Sequence, residues 1–310
     1  MGFETTTDEV IRGIDLSGRA ALVTGASGGL GAETARALAA AGAAVTLAAR
    51  NVSKAEAVAK EIRASTGATV DVGELVLDRP DAVRAFASRW LADHDVLHLL
   101  INNAGVMASP LERTPEGWEM QFATNHLGHF LLTSHLLPAL RAGAPARVVN
   151  LSSAGHRFSP VNFEDVHFES HPYDKWESYG QSKTANVLFS LELDRRYQGD
   201  GIRAFAVHPG AIMTELGRHL DADDIQTLQS RAKGGMKFKP VPAGAATSVW
   251  AATNPELEGR GGLYCEDTHV AGERESEDSV EGYMPWAMDP EAAARLWTLS
   301  EETLGETFGS

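Results

Sequence analysis

A tyrosine and a lysine four residues apart, Tyr179 and Lys183, are the side chains best suited to moving a proton. In a helix that spacing puts both on one face, with their Cβ atoms about 5–6 Å apart. A phenol with a pKa of about 10 is a weak base at neutral pH, and a neighbouring ammonium group favours its ionised form. Lowering that pKa from 10 to about 7 requires roughly 4 kcal/mol of differential interaction. Taken alone, the pair also fits an ordinary contact on a helix surface.

Other polar residues follow apolar runs that have the length of buried strands. Ser152-Ser153 ends one such run, Asn102-Asn103-Ala104-Gly105 follows another, and Pro209-Gly210 follows a third. The carboxyl ends of parallel strands meet at one edge of a sheet, where open α/β sheets bind ligands. A serine at that edge can hydrogen-bond a reacting oxygen and stabilise developing negative charge.

A long helix is predicted over Pro115–Leu137, and Asn125 lies inside it although Asn is a poor helix former. An interior Asn often has a polar task, and the alternative is a solvent-facing position. The apolar stretch Phe130–Leu140 is expected to be core and, in addition, a contact between subunits, because a helix that is apolar around most of its surface must be buried.

A glycine-rich turn between the first predicted strand and the first helix reads Thr-Gly-Ala-Ser-Gly-Gly-Leu-Gly over residues 24–31. Glycines there allow a tight turn and a close approach of the backbone to a pyrophosphate, and the free amides of the following helix attract phosphate. No Lys-Ser/Thr pair follows, which excludes a P-loop. A glycine-rich connection without a ligand is the alternative. If the turn binds a dinucleotide coenzyme, the residues expected to contact it are Gly25, Ser27, Gly29, Leu30 and Gly31.

The end of the second predicted strand reads Leu47-Ala48-Ala49-Arg50-Asn51 and carries no acidic residue to hold the ribose hydroxyls of NAD. Arg50 can pair with a 2′-phosphate through its planar guanidinium group. We therefore predict NADP, with NAD as the alternative, and place Arg50 and Asn51 at the adenosine ribose. Asp78 is expected to receive the adenine amino group or to cap the helix that begins at Pro80.

Apolar runs and helical segments alternate along the chain at roughly 25–30 residues, which indicates right-handed crossovers and a parallel sheet. The predicted fold class is α/β: a single Rossmann-like domain with a doubly wound, mostly parallel sheet and helices on both faces. We expect an N-terminal arm over residues 1–17, the domain over 18–300 and a tail over 301–310. Within the domain, segments 155–174 and 210–240 are expected on the substrate side, and 265–300 is an acidic extension.

Composition excludes several classes of function. The 310 residues carry a net charge of −15 without a basic patch, so nucleic acid is not an expected partner. No run approaches the 18 or so apolar residues of a membrane span. One cysteine, Cys265, favours a reducing cytoplasm. The eleven histidines include no HExxH pattern, and we predict no metal site.

Over roughly residues 17–300 the chain resembles the short-chain dehydrogenase/reductase family. The resemblance rests on motifs in the family's order: Thr24-Gly25-x-x-x-Gly29-x-Gly31, Asn102-Asn103-Ala104-Gly105, Asn125, Ser152-Ser153, Tyr179-x-x-x-Lys183 and Pro209-Gly210. The glycine spacing is that of the family's shorter branch. Segments 125–130, 182–186 and 289–297 are similar to the retinol-dehydrogenase-like and WW-domain-oxidoreductase-like members.

The resemblance implies a catalytic tetrad of Asn125, Ser153, Tyr179 and Lys183. Tyr179 would exchange a proton with the substrate oxygen, Ser153 would hold that oxygen, Lys183 would lower the tyrosine pKa and hold the nicotinamide ribose, and Asn125 would position a water beside Lys183. Further coenzyme contacts would come from Asn103, Ala104, Gly105, Pro209, Gly210 and Thr214.

The implied activity is hydride transfer between NADP(H) and a small hydrophobic alcohol, aldehyde or ketone, in a protein that forms a homodimer or homotetramer. A regulator that binds dinucleotide without chemistry is the rival interpretation. Residues of the segment 155–174 and its neighbours could line the substrate cleft: the histidines His156, His167 and His171 and the aromatic residues Phe158, Phe163, Phe168, Tyr173 and Trp176.

Overall fold

The computed structural model describes residues 1–214, 216–217, 220–231, 237–276 and 279–309. Parts of the expected substrate-side segment 210–240 and of the acidic extension 265–300 therefore lie outside the described residues. The strands are β1 (Ala20–Thr24), β2 (Ala44–Ala49), β3 (Val70–Glu74), β4 (Leu99–Asn102), β5 (Ala146–Leu151), β6 (Ile202–His208), β7 (Leu263–Glu266) and β8 (His269–Val270).

The helices alternate with these strands as the sequence predicts. They are α1 (Thr7–Val10), α2 (Gly29–Ala40), α3 (Val52–Thr66), α4 (Pro80–Asp93), α5 (Met120–Phe122), α6 (Gly128–His135), α7 (Leu137–Ala142), α8 (Lys175–Tyr197), α9 (Ala222–Arg231), α10 (Val241–Thr253) and α11 (Pro290–Leu304). The short helix α1 lies in the expected N-terminal arm, where Asp8 pairs with Arg36 of α2.

The strands form one sheet in the order β3-β2-β1-β4-β5-β6-β7-β8. All pairs are parallel except β7 with β8. The predicted doubly wound α/β fold is confirmed. Strand order reverses between β1 and β4, and a crevice opens at such a switch point beyond the carboxyl ends of the strands.

The helix predicted over Pro115–Leu137 begins later, at Met120, and that prediction is wrong at its amino end. A tight turn precedes it, in which the amide of Gly117 donates to the carbonyl of Thr114 and Gly117 has a φ of 92°. The buried carboxylate of Glu119 then accepts from the amides of Gln121 and Phe122, which fixes the helix start. Between α5 and α6 the backbone forms a π-helical turn over Ala123–Leu127, and this turn contains Asn125.

Helix α8 places Tyr179 and Lys183 one turn apart, as their four-residue spacing predicts. Asp174 caps it by accepting from the amides of Trp176 and Glu177, and two arginines in the last turn complement the helix dipole. Most of the helix is buried against β5 and β6, so the first two turns, which carry Tyr179 and Lys183, are held rigidly at the sheet edge.

The apolar face of α6 and α8 is covered by the chain's own C-terminal segment. Helix α11 packs on α8, and Trp297 lies with its ring centroid 5.0 Å from that of Phe130 and 4.5 Å from that of Phe308. Phe189 completes the aromatic cluster. The prediction that Phe130–Leu140 lies in the core is confirmed. Where this stretch contacts the aromatic cluster, it is covered by the chain itself and not by a second subunit.

We expect Trp297→Ala to lower the free energy of unfolding by about 3–5 kcal/mol, because it leaves a cavity among buried aromatic rings. The measurement is chemical unfolding followed by circular dichroism. The exposed neighbour Thr298 provides the control, and Thr298→Ala should change the stability by less than about 0.5 kcal/mol. Equal stabilities of the two variants would show that α11 is not part of the core.

Candidate active site

A cleft of about 2740 Å³ opens at the carboxyl ends of β1, β4, β5 and β6. It is far larger than a pocket for one small ligand, which is typically about 300–1,000 Å³. Apart from Asn125, every residue that the sequence assigns to catalysis or coenzyme binding lines it: Gly25, Ser27, Gly29, Leu30, Gly31, Arg50, Asn51, Asp78, Asn103, Ala104, Gly105, Ser153, Tyr179, Lys183, Pro209, Gly210 and Thr214.

Tyr179, Lys183 and Ser153 meet at the floor of this cleft. The Lys183 Nζ atom lies 5.7 Å from the centroid of the Tyr179 ring, and the two side chains share one face of α8. The hydroxyl of Ser153 is close enough to the Tyr179 phenol to act on its pKa, in the direction that lowers it. Both members of the pair are nearly inaccessible to solvent, at 3% and 4% exposure.

Burial shifts the pKa values of the pair in the directions that disfavour charge. It raises the pKa of Tyr179 to about 12, against a smaller lowering by the nearby Ser153 hydroxyl. It lowers the pKa of Lys183 to about 8. In the protein without coenzyme, Lys183 therefore does not bring the pKa of Tyr179 below its ordinary value, contrary to the expectation from the sequence.

The two serines at the end of β5 have different partners. Ser152 donates its hydroxyl to the carbonyl oxygen of Lys183 at 2.8 Å and so fixes α8 against the strand. The carbonyl of Leu151 accepts from Lys183 Nζ at 3.0 Å and from Asn186 Nδ2 at 2.8 Å. The Ser153 hydroxyl oxygen accepts from the Gly155 amide at 3.0 Å, and of the two serines it is Ser153 that acts on the pKa of the Tyr179 phenol.

Asn125 lies beneath the cleft rather than in it. Its Oδ1 accepts from the amide of Val106 at 2.8 Å, and its Nδ2 donates to the Val106 carbonyl at 3.0 Å and to Ser182 Oγ at 2.9 Å. The amide group thus clamps the loop that follows β4 to helix α8. The main-chain oxygen of Asn125 accepts from His129 Nδ1 at 3.0 Å.

His129 links Asn125 to the glycine turn, a role that sequence reasoning missed. A carbonyl can only accept, so Nδ1 carries the proton, and Nε2 accepts from the hydroxyl of Thr24 at 2.9 Å. Burial lowers the pKa of His129 to about 4, which keeps the ring neutral. The Thr24 oxygen also accepts from the amides of Asn103 and Ala104. The one available signal was the four-residue spacing from Asn125.

Two glycines are required by the geometry of the site. Gly25 has a φ of 68°, and a Cβ atom there would lie 2.8 Å from the Cα atom of Ala104. A Cβ atom on Gly155 would lie 2.5 Å from Cε1 of Tyr179. The first glycine allows β1 and β4 to end side by side, and the second allows the phenol to approach the turn Ala154–Arg157 that follows Ser153.

The amino end of α2 fits a pyrophosphate. Gly28 is its N-cap and supplies no side-chain hydrogen bond, so the first-turn amides have no capping group among the described side chains. Gly29, Leu30 and Gly31 of that turn line the cleft. Free amides and the positive end of the helix dipole at this position would hold the two phosphates.

Basic side chains lie at the adenosine end of the cleft. Arg50 is exposed there, and Lys54, which sequence reasoning missed, lines the same region from the first turn of α3. The side chain of Asn51 caps α3 by accepting from the Lys54 amide. Asp78 lines the cleft, while the residue that caps α4 is Arg79, so the helix-cap alternative for Asp78 does not apply.

The substrate end of the cleft has an apolar lining, and the sequence predicted only some of the residues that form it. Phe158 and Trp176 line it, together with Met107 and Met120, which were missed. The three histidines of the segment 155–174 do not line the cleft. His167 accepts from the Glu119 amide, His171 pairs with Asp165, and His156 is buried.

A helix able to cross a membrane is not found in the described part of the chain.

Comparisons with known proteins agree with this arrangement. The model of the short chain dehydrogenase family matches residues 19–225. The chain is 46% identical over 299 residues to a probable oxidoreductase of Streptomyces antibioticus, a match that covers 94% of this chain and 99% of that protein. It is 42% identical over 296 residues to human retinol dehydrogenase 12, with 94% and 88% covered.

The fold is also that of solved structures. A crystal structure of an uncharacterized protein from Mycobacterium paratuberculosis aligns with a TM-score of 0.76 at 34% identity, covering 98% of this chain and 99% of that chain. Because the family model spans most of the chain and both relatives match along nearly all of it, the chain belongs to the short-chain dehydrogenase family, whose members bind a nicotinamide dinucleotide, and is an oxidoreductase that acts on CH–OH groups.

Proposed function

We propose that the protein transfers hydride between NADP(H) and a hydrophobic alcohol, aldehyde or ketone, with Tyr179 as the acid and base. The observation that carries this proposal is the buried phenol of Tyr179, beside the Ser153 hydroxyl and flanked by Lys183, at the floor of a cleft large enough for a dinucleotide. The methionine, phenylalanine and tryptophan side chains around the substrate end favour an apolar substrate.

In the reductive direction Ser153 holds the carbonyl oxygen by a hydrogen bond, and Tyr179 gives that oxygen its phenolic proton. The bound coenzyme supplies the hydride and, in its oxidised form, a positive charge beside the phenol. Lys183 stabilises the phenolate that forms when the proton leaves, and its own proton is held against the carbonyl of Leu151. Because water is excluded from the pair, each charge has a larger effect there than in solvent.

Tyr179→Phe should lower kcat by about 10²–10⁴-fold, the usual contribution of a positioned acid or base. The variant keeps the ring and loses only the hydroxyl, so its affinity for NADPH should stay close to that of the wild type. Turnover of a good carbonyl substrate and NADPH binding by fluorescence are the two measurements. Turnover within tenfold of the wild type would refute the assignment.

The coenzyme preference depends on charge at the adenosine end. Arg50→Ala should weaken NADPH binding by about 10–100-fold, because a hydrogen bond to a charged group contributes about 1.5–3 kcal/mol, while NADH binding should change little. Arg12→Ala is the matched control, since Arg12 is exposed and lies outside the lining of the cleft. Equal losses for NADPH and NADH would contradict a 2′-phosphate contact and favour the NAD alternative.

Carbonyl reduction should lose rate as the pH rises through about 8, the value to which burial lowers the pKa of Lys183. Below that pH the side chain is an ammonium group and stabilises the phenolate, and above it the charge is lost. The profile is measured as kcat/KM with coenzyme and substrate both subsaturating, so that it reports the free protein. In Lys183→Arg the side chain stays charged, so the decline near pH 8 should disappear. If the decline remains in this variant, another group causes it.

A further inference from the structure

The last two residues of the turn that follows Ser153 contact the C-terminal part of the chain. This turn spans Ala154–Arg157, and the C-terminal segment 279–286 is hydrogen-bonded to it. Arg157 donates from Nη1 to the carbonyl of Val280 at 2.8 Å and from Nη2 to the carbonyl of Gly282 at 2.9 Å. Residues 279–281 of this segment line the substrate end of the cleft, and Val280 is 65% exposed there.

His156 makes the contact that reaches the serine itself. Its Nδ1 atom lies 2.6 Å from the carbonyl oxygen of Ser153, and its Nε2 atom lies 3.2 Å from the amide nitrogen of Met284. A carbonyl can only accept and an amide can only donate, so Nδ1 carries the proton and Nε2 does not. The imidazole is therefore a bridge of fixed polarity between Ser153 and the C-terminal segment.

Nothing in the environment of His156 allows it to act as an acid or base. The side chain is inaccessible to solvent, does not line the cleft and has a pKa lowered by burial to about 3. Its main-chain oxygen is also occupied, by Thr184 Oγ1 at 3.1 Å and by Trp286 Nε1 at 3.2 Å. Both ring nitrogens and the main-chain oxygen of His156 are therefore used in hydrogen bonds that hold the turn in place.

We propose that His156 is a positioning residue for the reaction: by holding the Ser153 carbonyl it sets the direction of the Ser153 hydroxyl together with the Gly155 amide, which donates to that hydroxyl oxygen at 3.0 Å, and it couples the hydroxyl to the segment 279–286 that walls the substrate end. The proposal rests on the proposed function, in which Ser153 holds the substrate oxygen. The C-terminal segment then affects the chemical step as well as the choice of substrate.

Two isosteric replacements separate the two halves of the bridge. In His156→Asn the side-chain amide nitrogen replaces Nδ1 and keeps the bond to Ser153, whereas in His156→Gln the amide oxygen replaces Nε2 and keeps the bond to Met284. We expect kcat of His156→Asn to stay within about threefold of the wild type, and kcat of His156→Gln to fall about 10–100-fold, the scale of a small misplacement of a reacting group. NADPH affinity should be unchanged in both.

Trp286→Phe is the control for a general loosening of the segment, because it removes a hydrogen bond to His156 without touching the imidazole. Its effect should appear mainly in KM. Equal kcat values for His156→Asn and His156→Gln, or a loss of kcat in Trp286→Phe as large as in His156→Gln, would overturn the proposal. Tyr179→Phe is assayed in parallel: an active Tyr179→Phe enzyme would reject the proposed function, whereas a failure confined to the His156 variants would reject only the coupling.

Discussion

The exclusion of water from one phenol and one ammonium group is the constraint on which the site depends. Burial raises the pKa of Tyr179 to about 12 and lowers that of Lys183 to about 8, so the protein alone holds both groups closer to neutrality than water would. A charge brought into the cleft is then opposed by little solvent screening. In our account the positive ring of the oxidised coenzyme, together with Lys183, would stabilise the phenolate of Tyr179 and so lower its pKa.

The fold holds this pair in place from two sides. Strand β5 provides the Leu151 carbonyl that accepts from Lys183, and the residues directly after the strand place the Ser153 hydroxyl beside Tyr179. The π-helical turn brings Asn125 against the loop after β4, and His129 extends that contact to Thr24 in the glycine turn. A chain of hydrogen bonds thus connects the glycine turn to the helix turn that carries Tyr179.

Local spacing made much of this predictable from the sequence. The four-residue interval between Tyr179 and Lys183, the glycine turn and the alternation of strands and helices each depend on neighbours in the chain, and the structure has them as expected. The start of the helix before Asn125 was wrong because a turn at Gly117 and the Glu119 cap overrode its apolar pattern. In the protein without coenzyme the pKa of Tyr179 is raised, which spacing does not foretell because it identifies a charged neighbour but not the loss of solvent.

Contacts between distant segments account for the rest. His129 meets Thr24 across 105 residues and His156 meets Met284 across 128, and neither partner can be read from a local pattern. The aromatic cluster of Trp297 and Phe308 likewise covers a helix face that the sequence assigned in part to another subunit. Such pairings need the tertiary fold before their chemistry can be stated.

The most direct test of the central claim is the ionisation of Tyr179 itself, followed by NMR in protein labelled with ¹³C at the tyrosine ring and assigned with Tyr179→Phe. We expect a pKa of about 12 in the free protein and a value below the ordinary 10 or so when oxidised coenzyme is bound. An unchanged value in the complex would contradict the account, because the coenzyme would then contribute nothing to the acidity of the phenol.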